Sequence, residues 1–180
     1  DGVFSVMGNH YYGDYKFFPT SEARKEDCRK LRQYEHAMGW QLLSNDNHVI
    51  HRGTDSIAVL GVENNGRSPF PALASLNTTL KNLSSKCYKV LLSHDPSFWE
   101  DSVITKTDIP LTLSGHTHAL QLKIGSFSPA KWIYSQWGGR YDHGNHTLLV
   151  NTGIGGSFLF RIGAWPEISL ITLKSSTGKI

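Results

Sequence analysis

Cysteine and methionine are scarce in this chain, two of each among 180 residues. Cys28 and Cys87 form no Cys-x-x-Cys pair and no disulfide framework; they read as ordinary free thiols, with a single disulfide between them the open alternative. No apolar run approaches the ~20 residues that span a bilayer. No block of like charge occurs, and the net charge is only +3, so a nucleic-acid or polybasic membrane-binding reading has little support. Internal repeats, low-complexity tracts and clear linkers are also lacking. No leader pattern is visible: Asp1-Gly2-Val3-Phe4-Ser5-Val6-Met7 enters a strand at once, which reads as a start inside a longer protein. The length fits one domain, on a prior of roughly 100–200 residues each, and suffices for a core without staples.

Histidine, by contrast, is plentiful: nine residues, which favours a metal or acid–base site. The apolar pattern predicts a strand at Val3–Met7 and an aromatic, Gly/Pro-punctuated loop over 11–19. Thr20 or Ser21 caps a helix that runs to about Met38 and ends at Gly39. Ala23, Leu31, Tyr34 and Met38 approximate its apolar face. Strands follow at His48–His51 and Ile57–Val62, joined by a turn at Gly53-Thr54-Asp55. Pro71 opens a helix over Ala72–Leu83. Tyr88–Ser93 is a strong strand, Pro96 opens a short helix to Ile104, and Leu111–Leu113 is a buried strand. Further strands are expected at Leu120–Ile124, Trp132–Ser135, Thr147–Asn151 and Glu167–Leu173. Strands alternate with helices and then predominate, which suggests a layered α/β sandwich and not a doubly wound parallel sheet.

Three segments share one placement. Gly8-Asn9-His10 follows the first strand, Ser93-His94-Asp95-Pro96 follows Tyr88–Ser93, and Gly115-His116-Thr117-His118 follows Leu111–Leu113. Loops at the carboxyl ends of parallel strands meet on one rim, where ligands bind. If these strands run the same way in one sheet, the segments converge. Several N and O donors on rigid elements are what a metal centre needs.

In that order, the three segments resemble the later motifs of the calcineurin-like metallophosphoesterases. The resemblance covers nearly the whole chain. The tail from Asn151-Thr152-Gly153-Ile154-Gly155-Gly156 through Phe160-Arg161-Ile162-Gly163-Ala164-Trp165-Pro166-Glu167-Ile168 is similar to one bacterial branch, often membrane-attached or exported. The resemblance implies an α/β fold, a four-layer α/β/β/α sandwich, here incomplete at its N-terminus. Residues 1–180 would be the C-terminal portion of a single such domain. It implies a hydrolase of phosphate esters with a dinuclear metal centre and a metal-activated water. Asn9, His94 and His116 would bind one metal and His118 the other. His10 would face the scissile phosphate as the catalytic residue, stabilising charge and helping the leaving oxygen depart. Two divalent ions, Mn, Fe or Zn, would serve the intact enzyme, at most one of them well held by this chain. The substrate would be a monoester, a diester or a nucleotide- or lipid-linked phosphate, not a nucleic acid. Membrane contact would come through an N-terminal segment outside this chain.

The departures from the pattern matter as much. The family's Asp-x-His and Gly-Asp-x-x-Asp precede Gly-Asn-His; nothing ahead of Gly8 matches them. Asp46-Asn47-His48 has the right letters in the wrong place, Gly13-Asp14 lacks its second Asp, and Gly144-Asn145-His146 precedes its strand; all three read as decoys. Tyr11 stands where the family commonly has an acid. His36, His48 and His51 read as surface or half-buried, and His143 and His146 as turn residues. Tyr11, Tyr12, Tyr15, Phe17 and Phe18 read as loop packing. Arg161 is weighed between a substrate phosphate and an ion pair. The rival to an active enzyme is a catalytically inactive metal-binding or structural fragment. A nuclease of the same superfamily is weaker, for want of a basic patch.

Overall fold

Short runs rich in apolar residues build the inner strands of one mixed sheet. The computed structural model describes residues 2–13, 15–68, 70–156 and 158–174. Asp1 of the first strand and Asp14 of Gly13-Asp14 lie outside them. The protein is α/β. β1 (Val3–Ser5) and β2 (Trp40–Leu42) pair in parallel as a small sheet. β3 (Asp46–Arg52), β4 (Asp55–Gly61), β5 (Tyr88–Leu92), β6 (Leu111–Ser114), β7 (Gly139–His143) and β8 (His146–Val150) form a mixed sheet in the order β3-β4-β5-β6-β8-β7. The four inner strands are parallel, and β3 and β7 are antiparallel edges.

Local sequence explains these elements. β3 and β4 close through a two-residue loop, where Gly53 takes the positive φ (61°) such hairpins favour. β5 is buried along Lys89, Val90 and Leu91, as a central parallel strand is; the Lys89 ammonium leaves the core to meet Asp108 at 2.8 Å. In register, Leu60, Leu91, Thr112 and Leu148 lie side by side on one face. Phe98, Trp99 and Val103 cover that face from a helical segment, a π-helical turn Trp99–Val103 running into a short α-helix, Ile104–Lys106.

α1 spans Ser21–Ala37, with the Thr20 hydroxyl accepting from the Ala23 N–H at 3.1 Å. Its expected apolar face packs only at Ala23 and Leu31, which are half-buried. Tyr34 and Met38 are exposed, while Glu35 is buried. Glu35 faces inward because the Ser5 hydroxyl donates to it at 2.6 Å and the Tyr11 hydroxyl donates to its other oxygen. These bonds satisfy the carboxylate where an apolar residue was expected.

Four other expectations are corrected. The helix over Ala72–Leu83 shortens to α2, Leu76–Thr79, because Asn64 and Asn45 bind the extended backbone before it: the Asn64 side-chain amide donates to Pro71 O at 2.9 Å and the Asn45 side-chain amide to Leu73 O at 2.9 Å. The strand over Leu120–Ile124 is replaced by a left-handed turn at His118–Gln121. Trp132–Ser135 follows a 3-10 turn, Pro129–Trp132, capped by Ser128. Glu167–Leu173 is not a strand. Strand β7 was not anticipated: Gly-Arg-Tyr-Asp-His is polar, and it forms as an exposed edge along β8. Both cysteines are free thiols. Among the described residues no helix is long and apolar enough to cross a membrane.

Candidate metal centre

The parallel direction of β5, β6 and β8 puts the loops that follow them on one rim. Backbone bonds continue past the strand ends and tie those loops together. Gly115 N–H donates to His94 O at 3.0 Å, Ser93 N–H to Leu113 O at 3.0 Å, and Asn151 N–H to Ser114 O at 2.8 Å. The 3-10 turn Asn9–Tyr12 after β1 reaches the same rim. A Cβ on Gly8 would lie 2.7 Å from the His94 ring, so only glycine lets the first loop approach the second this closely.

Three donor atoms meet there. Asn9 Oδ1 lies 2.9 Å from His94 Nε2 and 3.1 Å from His116 Nδ1, and the two ring nitrogens are 3.1 Å apart. Asn9 is almost fully buried, and its amide N–H donates to the Tyr15 hydroxyl at 2.5 Å, which turns Oδ1 inward. Burial, followed by the neighbouring charges of His116, His10 and His118, pushes the His94 pKa down to about 3. Burial also lowers that of His116, against the pull of Asp95. Both rings are therefore neutral at neutral pH, and each carries one N–H. His116 Nε2 lies 2.7 Å from the Tyr134 hydroxyl and 3.5 Å from Asp95 Oδ2. With its hydrogen there, Nδ1 is a bare lone pair. Three lone-pair atoms then share one small space with at most one N–H among them.

A cation removes that conflict. Donors at about 2.1 Å from a metal would be about 3.4 Å apart at tetrahedral angles and about 3.0 Å apart at octahedral ones; the three separations here are nearer the second. Among the described residues no three His, Cys, Asp or Glu side chains are placed to hold one ion; this set is two imidazoles and an amide oxygen. It fits the borderline N/O preference of Zn, Fe or Mn.

His118 sits apart. Its Nδ1–H donates to Thr152 O at 3.0 Å, which leaves Nε2 as the free donor. It begins the left-handed turn, with φ of 49°, 51°, 47° and 58° at His118, Ala119, Leu120 and Gln121. Such a turn costs about 1–2 kcal/mol per residue. Buried bonds hold it: Thr117 Oγ accepts from Ala119 N–H at 3.3 Å, Ser128 donates to Ala119 O at 2.7 Å, and the Gln121 amide grips the backbone of Phe158 and Phe160. Strain retained at this cost is typical of functional loops.

His10 is exposed on the rim, its ring stacked on Tyr15 with centroids 4.1 Å apart. Its charge acts on both His94 and His116. Tyr11 turns away to Glu35, and burial and then that carboxylate raise its pKa. Of its two expected contacts, Arg161 does not make the ion pair among the described residues. Its guanidinium donates to the carbonyls of Thr152 (3.0 Å), Ala164 (2.8 Å) and Gly155, beside His118. His146 opens β8 at the opposite end of the sheet and meets Ile109 O at 2.8 Å. Asn47 binds the carbonyls of Thr79 and Lys81, and His48 packs against Phe4. His36, His51 and His143 are exposed. Sequence reading missed Tyr15, Tyr134 and Asp95 as partners of the donors. Asp95 stood inside a recognised segment; Tyr15 and Tyr134 carried no local signal.

Three curated proteins are similar to this chain. The uncharacterized metallophosphoesterase YkuE of Bacillus subtilis is 37% identical over 106 residues, covering 54% of this chain and 35% of the relative. An uncharacterized metallophosphoesterase of Aquifex aeolicus is 25% identical over 96% of this chain and 61% of its own. The uncharacterized protein YpbG of Bacillus subtilis is 28% identical over 80% and 52%. The chain thus spans between about a third and three fifths of these relatives' lengths. No family model and no solved structure matches. Two of these three relatives carry the name metallophosphoesterase.

Proposed function

We propose that this chain carries one side of a dinuclear centre for metal-dependent hydrolysis of phosphate esters. The observation that carries the reading is the triangle of Asn9 Oδ1, His94 Nε2 and His116 Nδ1, with sides of 2.9, 3.1 and 3.1 Å. These three residues would hold one divalent ion, Mn, Fe or Zn, and His118 Nε2 would contribute to a second. When bound, such a pair supplies Lewis acidity and an activated water for in-line displacement at phosphorus. The chain's own residues do the rest. His10 stands exposed at the rim, where an imidazolium can stabilise charge on the phosphoryl oxygens and give a proton to the leaving oxygen. Tyr15 holds the Asn9 amide and stacks on His10, so one side chain sets both. The Thr152 carbonyl orients His118.

The fold proposal follows. The separate β1-β2 pair is read as part of a second sheet in a four-layer α/β/β/α sandwich. Residues 1–180 are read as one domain's C-terminal portion. Substrate class, membrane attachment and export stay with the family resemblance.

A second reading has its own support. Among the described residues no group of three or more His, Cys, Asp or Glu includes His118. On that reading the chain alone binds one metal and turns over nothing. The two are separated by assaying a chromogenic phosphate diester with Mn²⁺ or Zn²⁺. The chain alone is expected to give negligible hydrolysis. A longer protein carrying Asp-x-His and Gly-Asp-x-x-Asp upstream is expected to give metal-dependent turnover lost in His10→Ala. No turnover by that longer protein with any of these metals would sink the enzyme reading. Robust turnover by the 180-residue chain would show that the second metal's ligands lie within it.

A further inference from the structure

Asp95 uses its two carboxylate oxygens differently. Oδ1 accepts from the Ser97 N–H at 2.9 Å and the Ser97 hydroxyl at 2.6 Å, the pattern of an aspartate capping the start of a helix. Oδ2 is buried with the residue, which is 1% exposed, and accepts no hydrogen bond among the described residues. It points at His116, 3.5 Å from Nε2. A buried carboxylate oxygen without a donor is costly, so capping alone leaves half of this side chain unexplained.

The Tyr134 hydroxyl, 2.7 Å from the same Nε2, does not choose a tautomer. A phenol can donate to a bare nitrogen or accept from a protonated one. A carboxylate can only accept. With Asp95 Oδ2 on that side of the ring, the hydrogen is held on Nε2. Nδ1, the atom that faces Asn9 Oδ1 and His94 Nε2, is left bare. We propose that Asp95 is the positioning residue that fixes the tautomer of His116 and so presents Nδ1 to the metal. A carboxylate behind a metal-binding imidazole commonly plays this part. The purpose assigned to the tautomer rests on the metal-centre reading, but the tautomer itself is a property of the metal-free protein.

The test uses two variants that keep the cap, since Asn and Ser are both good capping residues. In Asp95→Asn, the amide oxygen stays with Ser97 and the NH₂ faces Nε2, donor against donor, which drives the ring hydrogen to Nδ1. Asp95→Ser keeps a capping oxygen and removes the second one. Proton–nitrogen NMR of the histidine rings in the metal-free full chain reads the tautomer directly. Wild type and Tyr134→Phe are expected to show His116 protonated on Nε2; both Asp95 variants are expected to lose that pattern. Their Zn²⁺ affinity is expected to fall about 10–100-fold, with the thermal midpoint held by the retained cap. A wild-type tautomer in either folded Asp95 variant would make Asp95 a cap only. A switch in Tyr134→Phe but in neither Asp95 variant would assign the role to Tyr134 and overturn the proposal. If wild type binds no Zn²⁺ while the tautomer still follows Asp95, the positioning role stands and the metal-centre reading fails.

Discussion

The two ends of Gly115-His116-Thr117-His118 live in different surroundings. His116 is enclosed: its side chain is 8% exposed and touches Asn9, His94, Tyr134 and Asp95. His118, two residues on, meets the Thr152 carbonyl and the Arg161 guanidinium through Nδ1 and sits in a strained turn. Two histidines of one short motif therefore face separate places. The first is assembled from three loops of this chain; the second has a single histidine from it. On the proposed reading, a His-x-His pair on one rim divides two half-sites, with three donors on the His116 side and His118 alone on the other.

The strongest way to break that contrast is to remove a donor from the furnished side. His94→Ala is expected to lower Zn²⁺ affinity by more than the ~10–100-fold that outer partners of a ligand cost, measured by calorimetry. His118→Ala is expected to change it by no more than about threefold. Equal losses in the two variants would merge the half-sites into one.

A second test acts through packing. Gly8→Ala places a methyl 2.7 Å from the His94 ring, and overpacking of this kind costs about 1–3 kcal/mol. Urea unfolding should show that loss, and Zn²⁺ affinity should fall with it because the ring must shift away from Asn9. Wild-type stability and affinity would mean the loops are not packed as tightly as drawn.

A third, smaller effect follows from pH. His94 titrates near its ordinary 6.5 when unfolded and at about 3 when folded, mainly through burial. Between those values the unfolded chain binds a proton that the folded chain does not. The group's contribution to stability is thus fully present above about pH 6.5 and is lost as pH falls toward 3. Unfolding midpoints at pH 7 and pH 4.5 should differ more in wild type than in His94→Gln, where that proton site is gone. The same pH sensitivity in both proteins would place His94 in water.

What could be read from sequence follows the same division. The strands that carry His94 and His116 lie parallel in one sheet and bring their loops together as expected, whereas Asn9 arrives from β1, which belongs to the separate two-stranded sheet and not to the single sheet that was expected. The last third was misread where side chains override local pattern. Leu120–Ile124 has the look of a strand, but the amide of Gln121, three residues after His118, is spent on Phe158 and Phe160. Glu167–Leu173 has strand periodicity, yet Ile168 and Leu170 are largely exposed; periodicity alone supplies no neighbour to pair with. α1 was placed well by its cap, but its inward face could not be read, since burial of Glu35 depends on hydroxyls at positions 5 and 11. Tyr134 and Tyr15 reach the donors across long or irregular loops, which leave no periodic trace.

The central claim is that Asn9, His94 and His116 form one cation site and that His118 lies outside it. Anomalous X-ray diffraction from Zn²⁺-loaded crystals of the chain tests this most directly. The account predicts one strong zinc peak within bonding distance of Asn9 Oδ1, His94 Nε2 and His116 Nδ1, and none of comparable height at His118. A peak at His118 with none at the triangle, or no peak at either with zinc in excess, would contradict it.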